Sequence, residues 1–461
     1  MKPHGEPMSA VDTAWLRMER PANLMMICIV LVMENPVHAS ELKQLFTQRL
    51  LPLPRFRQTV HKTEHGCFWR DDANFNIDNH VHLVGLPGEG SQQDLQDLAS
   101  DISSTPLDFS KPLWQVHLVD RYQSGSAMII RVHHCIADGI ALTRVLLSLA
   151  DQKDGCSAPQ QVNPISKPAS WSGVAAKALH NAMHIGQEII EEGKSLARHP
   201  EQLLAIARQG VAMGSEVARV AALPADPATC FKGDLSGRKR LAWAQPLNFP
   251  QVKQTAQALK ATINDVLLCA ATGALRRYLV ERCIELDVET IHAAVPFNLR
   301  PSEEPADALG NQFGLVIAPL PIGIHDVAER FEAVRRDMLA LKHSQQAKAF
   351  YGLLGLLGKG PDFLEQTALE MLSRKASVVI TNVPGPKQAL YLAGSKLLTP
   401  MIWAPQSGEV GISLSIISYD GAIQFGVAVD QGLIPDPDKL AGYFVDAFAE
   451  LRALTKTRSA S

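Results

Sequence analysis

With 461 residues, a hydrophobic share of 46 % and 20 % charged residues, the chain has a globular composition and is long enough for more than one packed unit. A net charge of −3 leaves no basic footprint, so nucleic acid is not expected as a partner. The seven cysteines are scattered, with no CxxC pair; this argues against a disulfide framework or zinc ribbon and for a reducing, cytoplasmic setting.

The stretch Met1–Leu24 has no apolar run behind a basic start, so it does not read as a signal peptide. The longest apolar run nearby, Leu24 to Met33, is about half the ~20 residues that a spanning helix needs. Met25 to Val32 reads as a buried strand, short and rich in β-branched residues. Ala39 to Arg49 reads as a helix with Ser40 as its N-cap and Leu42, Leu45 and Phe46 on one face. Leu113–Val119 and Ala127–Val132 are two more strands, with a turn at Gln123–Ser126 between them. The second strand runs into His133-His134. The segment after Asp138-Gly139 has helical spacing, which puts Asp138 at an N-cap.

Residues 152–172 read as a linker, and Gly173–Arg198 and Gln202–Ala222 as helices packed on a domain. Strand and helix patterns alternate again from about 229. Thr262–Val280 is a helix, Ile291–Pro296 and Gly314–Leu320 are strands, and Val327–Leu341 is a helix. Ser377–Ile380, Val410–Ile417 and Ile423–Val429 are further strands, the last two joined by a hairpin signal at Tyr419-Asp420-Gly421. The expected architecture is a subdomain over 1–165, a helical connector over 166–228 and a second α/β subdomain over 229–461.

The chemistry concentrates in RVHHCIADG, residues 131–139. Adjacent strand residues point to opposite faces, so His133 and His134 cannot both ligate one ion without a kink, and no HExxH or CxxC pattern supports a metal. Two satisfied interior histidines would be the bland reading. A neutral imidazole that takes a proton from an attacking hydroxyl is the sharper one. Because only one histidine can face the reactant, the base is assigned to His134 and packing to His133. Asp138 reads as an anchor at the helix start rather than a triad partner. No GxSxG elbow supplies a serine nucleophile, so direct transfer without a covalent acyl-enzyme is favoured.

The block HHCIADG resembles the HHxxxDG motif of CoA-dependent acyltransferases and peptide-synthetase condensation domains. The chain is most similar to the bacterial wax ester synthase/diacylglycerol acyltransferase family. That similarity extends through Leu53–Arg57, Pro106-Leu107-Asp108, Pro112-Leu113-Trp114, Asn264-Asp265, Pro296–Arg300, Leu309-Gly310-Asn311, Asn382–Pro386 and the stretch 411–421.

The resemblance implies an α/β (α+β) fold of two chloramphenicol-acetyltransferase-like subdomains with mixed sheets and an active-site tunnel at their interface. It implies an O-acyltransferase that takes acyl-CoA as co-substrate, with no bound cofactor. The acceptor would be a long-chain alcohol or diacylglycerol, met at a membrane or lipid-inclusion surface. His134 would be the base, with His133, Asp138 and Gly139 completing the motif. Asn264 would assist at the oxyanion unless it merely caps its helix. Asp265 would be structural, and Arg300 would pair with Asp138. Pro384-Gly385-Pro386 reads as rigid turn chemistry and Trp114 as core. A carrier-protein thioester as donor, or a lipid-binding protein without catalysis, are the competing functions.

Overall fold

The computed structural model describes residues 5–88, 90–151, 216, 218–220, 222–282, 288–300, 309–342, 344–359 and 370–458. The linker at 152–172, the helix Gly173–Arg198, nearly all of Gln202–Ala222, and most of the 166–228 connector lie outside the described residues.

Two mixed sheets dominate the fold. The first has the order Tyr391–Leu392, Ser395–Trp403, Met26–Met33, Gly125–His133, Trp114–Tyr122, Val81–Val84. Every residue of Met26–Met33 is buried, as its unbroken apolar run requires of a strand covered on both faces. The second sheet has the order Phe313–Leu320, Ile291–Asn298, Val378–Pro384, Ile412–Tyr419, Ala422–Asp430, Lys239–Trp243, with Leu247–Asn248 on the flank of Ala422–Asp430. Each sheet contains parallel and antiparallel pairs. A separate three-stranded sheet built from Glu6–Pro7, Gln58–Thr63 and Gly66–Asp71 buries Cys67 and Trp69 in the core of the first.

The helix Ile263–Arg282 is buried along most of its length and packs with Pro437–Arg458 behind the second sheet. Tyr419 leads into a hairpin turn in which Asp420 and Gly421 take φ of 44° and 78°. Two successive left-handed residues are what a two-residue hairpin loop needs, and Asp-Gly supplies them.

Two expectations need correction. The helix Ala39–Arg49 is capped by His38, without a side-chain cap bond, rather than by Ser40. Val37 and Leu42, both about 1 % exposed in one core, hold the N′ and N4 positions of a hydrophobic staple, and that packing sets the start. The boundary at 229 is also crossed. Ser395–Trp403 leaves the C-terminal half and pairs antiparallel with Met26–Met33. Its Met401 and Trp403 share a core with Cys28, Val30, Leu241 and Ala428, so residues of both sheets bury one another there. Strand partners are chosen by such burial, which local sequence does not carry.

Candidate active site

The strand Gly125–His133 gives way to a turn over 134–137, and the helix Gly139–Leu149 follows Asp138. This turn separates the two imidazoles. His133 Nδ1 accepts from the Cys135 N–H at 3.1 Å, and Nε2 donates to Glu19 Oε2 at 3.1 Å. A ring nitrogen that accepts carries no proton, so this pair of bonds fixes the proton on Nε2. Glu19 also accepts from the Met25 N–H at 2.8 Å, tying the ring to the neighbouring strand. His133 is a clamp on the turn.

His134 stacks on Trp15, with centroids 4.1 Å apart and an interplanar angle of 17°, and Phe313 tilts against it at 5.4 Å. Its Nδ1 is sealed from solvent and reaches hydrogen-bond geometry with no group. Burial pushes its pKa down to about 4; the Asp138 carboxylate and the residue's own carbonyl act in the opposite sense. At neutral pH the ring is therefore neutral, the state a general base needs.

The cavity it lines is apolar and follows one face of the second sheet. Phe313, Leu315 and Ile317 alternate along one strand, and Ala294 and Pro296 along its neighbour. The register pairs Leu315 with Pro296, and Ile317 with Ala294. Val379 continues the second of these rungs into the next strand. The helix Gln346–Leu357 roofs the furrow with Ala349, Phe350 and Leu353. Exposed Met371 and half-buried Glu216 also line it.

Asp138 caps its helix, Oδ1 accepting from the Ala141 N–H at 2.8 Å. Oδ2 accepts from the Gln312 N–H at 2.9 Å and from Arg300 Nη2 at 2.9 Å and Nε at 3.3 Å. The structure thus forms the Asp138–Arg300 pair, and the carboxylate is fully engaged away from the imidazole. At Gly139, a Cβ would meet nothing within 4 Å, so the helix start is open to an approaching group.

Thr262 and Asp265 make a reciprocal capping box: the Thr262 N–H donates to Asp265 Oδ2 at 2.9 Å and the Asp265 N–H to Thr262 Oγ1 at 3.2 Å. Asn264 is therefore not the cap. Its Oδ1 accepts from Asn382 Nδ2 at 2.9 Å, which joins two distant sequence blocks. Neither Asn264 nor Asp265 lines the furrow beside His134. Trp114 is core: it stacks on His80 at 4.5 Å and its Nε1 donates to the Phe56 carbonyl at 2.9 Å. Pro384 ends a strand, and the Gly385 N–H after it donates to the Ser418 carbonyl at 2.8 Å. Among the described residues no group of His, Cys, Asp or Glu could hold a metal ion.

Sequence reasoning missed Glu19, Trp15 and Asp12. Each sits more than a hundred residues from the motif it touches or supports, and only Asn311, within the Leu309–Asn311 block, carried any local signal.

Residues 8–267 match the wax ester synthase/diacylglycerol acyltransferase catalytic domain, and residues 309–452 the corresponding C-terminal domain. A candidate diacylglycerol O-acyltransferase of Mycobacterium tuberculosis is 26 % identical over 98 % of this chain and 96 % of its own length. A second from the same organism is 29 % identical over 96 % and 98 %. The wax ester synthase/diacylglycerol acyltransferase of Marinobacter aquaeolei VT8 shares the fold with a TM-score of 0.67, at 20 % identity over 98 % of this chain and all of that one. The first condensation domain of the calcium-dependent antibiotic synthetase superposes with a TM-score of 0.63, at 15 % identity over 97 % and 96 %. With two domain models in sequence order and full-length relatives, the chain belongs to the wax ester synthase/diacylglycerol acyltransferase family and is an acyltransferase.

Proposed function

We propose that the enzyme moves a fatty acyl group from acyl-CoA to the hydroxyl of a long-chain alcohol or a diacylglycerol, with His134 as general base. The observation that carries this reading is a neutral, buried imidazole at the end of an apolar furrow. His134 Nε2 takes the hydroxyl proton as the oxygen attacks the thioester carbonyl. The tetrahedral intermediate collapses with loss of the thiolate, and Nε2 returns the proton to sulfur, so the ring ends as it began. Asn264, held by Asn382 away from the furrow, is given no part in this step.

The mostly apolar lining of the furrow suits methylene chains, which fits poorly soluble substrates. Among the described residues no single helix is long and apolar enough to cross a membrane, and the reading is of an enzyme that meets a lipid surface peripherally.

CoA release from palmitoyl-CoA, measured with hexadecanol or diacylglycerol as acceptor, tests the assignment. His134→Ala should abolish release while the fold persists. Transfer from a carrier-protein thioester with no use of free acyl-CoA would overturn the donor, and full turnover in His134→Ala the mechanism.

A further inference from the structure

The base has a second layer of support that the motif does not contain. His134 stacks on Trp15, and Asp12 lies one turn earlier on the same helix, Ala10–Arg17. Residues at this spacing share a face. Asp12 is 6 % exposed and Asn311 4 %. Asn311 uses one amide nitrogen twice: Nδ2 donates to Asp12 Oδ1 at 2.7 Å and to the His134 carbonyl at 2.7 Å. The Asn311 N–H donates to the same Asp12 oxygen at 3.1 Å. Gly310, at φ 91°, turns the chain so that its own N–H meets the Ile136 carbonyl at 3.0 Å while Asn311 reaches His134. A side chain at Gly310 would strain this crossing.

We propose that Asp12 and Asn311 are positioning residues for His134. Asn311 fixes the His134 backbone carbonyl, and Asp12 holds Asn311. The proposal rests on the general-base assignment above.

The chemistry follows from the geometry. During transfer Nε2 gains a proton and Nδ1 keeps its own, so positive charge appears in a buried ring whose Nδ1 has no hydrogen-bond partner. The backbone carbonyl of His134 favours the charged ring. That oxygen is held by Asn311, whose amide is polarised by Asp12, and such a chain gains from mutual polarisation in a low-dielectric site. The remaining charged or titratable neighbours are Arg55 acting on Asp12, Asp138 and His133 acting on His134, and Glu19 and Asp12 acting on Cys135. Burial raises the Asp12 pKa to about 6, against the Ser9 and Asn311 hydrogen bonds. The carboxylate is thus charged at neutral pH and uncharged in mild acid.

The test is steady-state kinetics of Asp12→Asn, Asn311→Ala and the double variant, each checked for folding by circular dichroism. Both single variants should lower kcat by about 10- to 100-fold, the cost of a slightly misplaced catalytic group. KM for acyl-CoA and alcohol should stay within about twofold. The double variant should be no worse than the poorer single one, because both act through one chain. In kcat against pH, an acid limb near 6 in the wild type should vanish in Asp12→Asn. Wild-type kcat in a folded Asp12→Asn or Asn311→Ala protein overturns the proposal, as does multiplication of the two effects. If Asp12→Asn does not fold, Asn311→Ala decides alone through the kcat and KM split. An active His134→Ala protein would instead remove the base itself, so the two failures are distinguishable.

Discussion

Replacing Asp138 by Asn changes one oxygen for an NH2 group and little else in shape, yet it should be among the most damaging substitutions in the chain. Asn is as good an N-cap as Asp, so the bond from the Ala141 N–H to Oδ1 can survive. Keeping that bond turns Nδ2 toward the Arg300 guanidinium and the Gln312 N–H, which now meet a donor instead of an acceptor. The Asp138 and Arg300 side chains are 4 % and 0 % exposed, so water cannot screen the guanidinium charge, which keeps the Gly310 carbonyl but loses its carboxylate. Breaking a buried pair from one side costs about 3–5 kcal/mol. The displaced Gln312 N–H adds part of the about 1–3 kcal/mol of an unmet buried donor. We expect Asp138→Asn to lose about 4 kcal/mol in urea unfolding at pH 7. The double variant Asp138→Leu/Arg300→Met should lose less than either single change, because neither charge is stranded. A loss below about 1 kcal/mol for Asp138→Asn would refute the claim that the buried Arg300 charge depends on the Asp138 carboxylate.

His134→Gln should be folded but inactive, and the stability difference between wild type and this variant should be pH-dependent. The native imidazole titrates near pH 4 and an unfolded one near about 6.5, so the unfolded state binds the proton first as pH falls. Wild type should therefore lose stability relative to His134→Gln between pH 6.5 and 4, read as the difference in Tm. Asp12 works in the opposite sense: its raised pKa of about 6 means that Asp12→Asn should gain relative stability as pH rises from about 4 to 6. Ala294→Phe, on a rung facing Ile317 and Val379, should shift the preferred chain of one substrate to shorter lengths in a panel of alcohols and acyl-CoAs, with CoA release from the shortest substrates kept. Thr262→Ala should cost about 1 kcal/mol by removing half of the capping box, measurable by urea unfolding and without effect on kcat.

What the sequence determined by itself is local and periodic. The strand Met26–Met33, the helices beginning at Gly139 and Ile263, and the Asp420-Gly421 hairpin follow from apolar runs, caps and turn residues within a few positions of each other. The divergence of His133 and His134 was legible too, because neighbouring positions at a strand end cannot share a target. Asp138 as an N-cap came from the same local logic, whereas its pairing with Arg300 followed from family resemblance.

Tertiary structure decided the rest. Asp12, Trp15 and Glu19 from one N-terminal segment and Asn311 from another converge around the histidines, and no spacing rule announces a contact 114 or 177 residues away in sequence. Ser395–Trp403 is not among the strands expected from the sequence, and nothing local shows which sheet it joins; the choice falls to the shared burial of Met401 and Trp403 against both halves. The furrow exists only once one face of Phe313–Leu320 and Ile291–Asn298 is roofed by Gln346–Leu357. Local sequence sets what each segment can form, while burial, summed over distant segments, selects which surfaces meet, and here that selection places a neutral imidazole at the end of an apolar cavity.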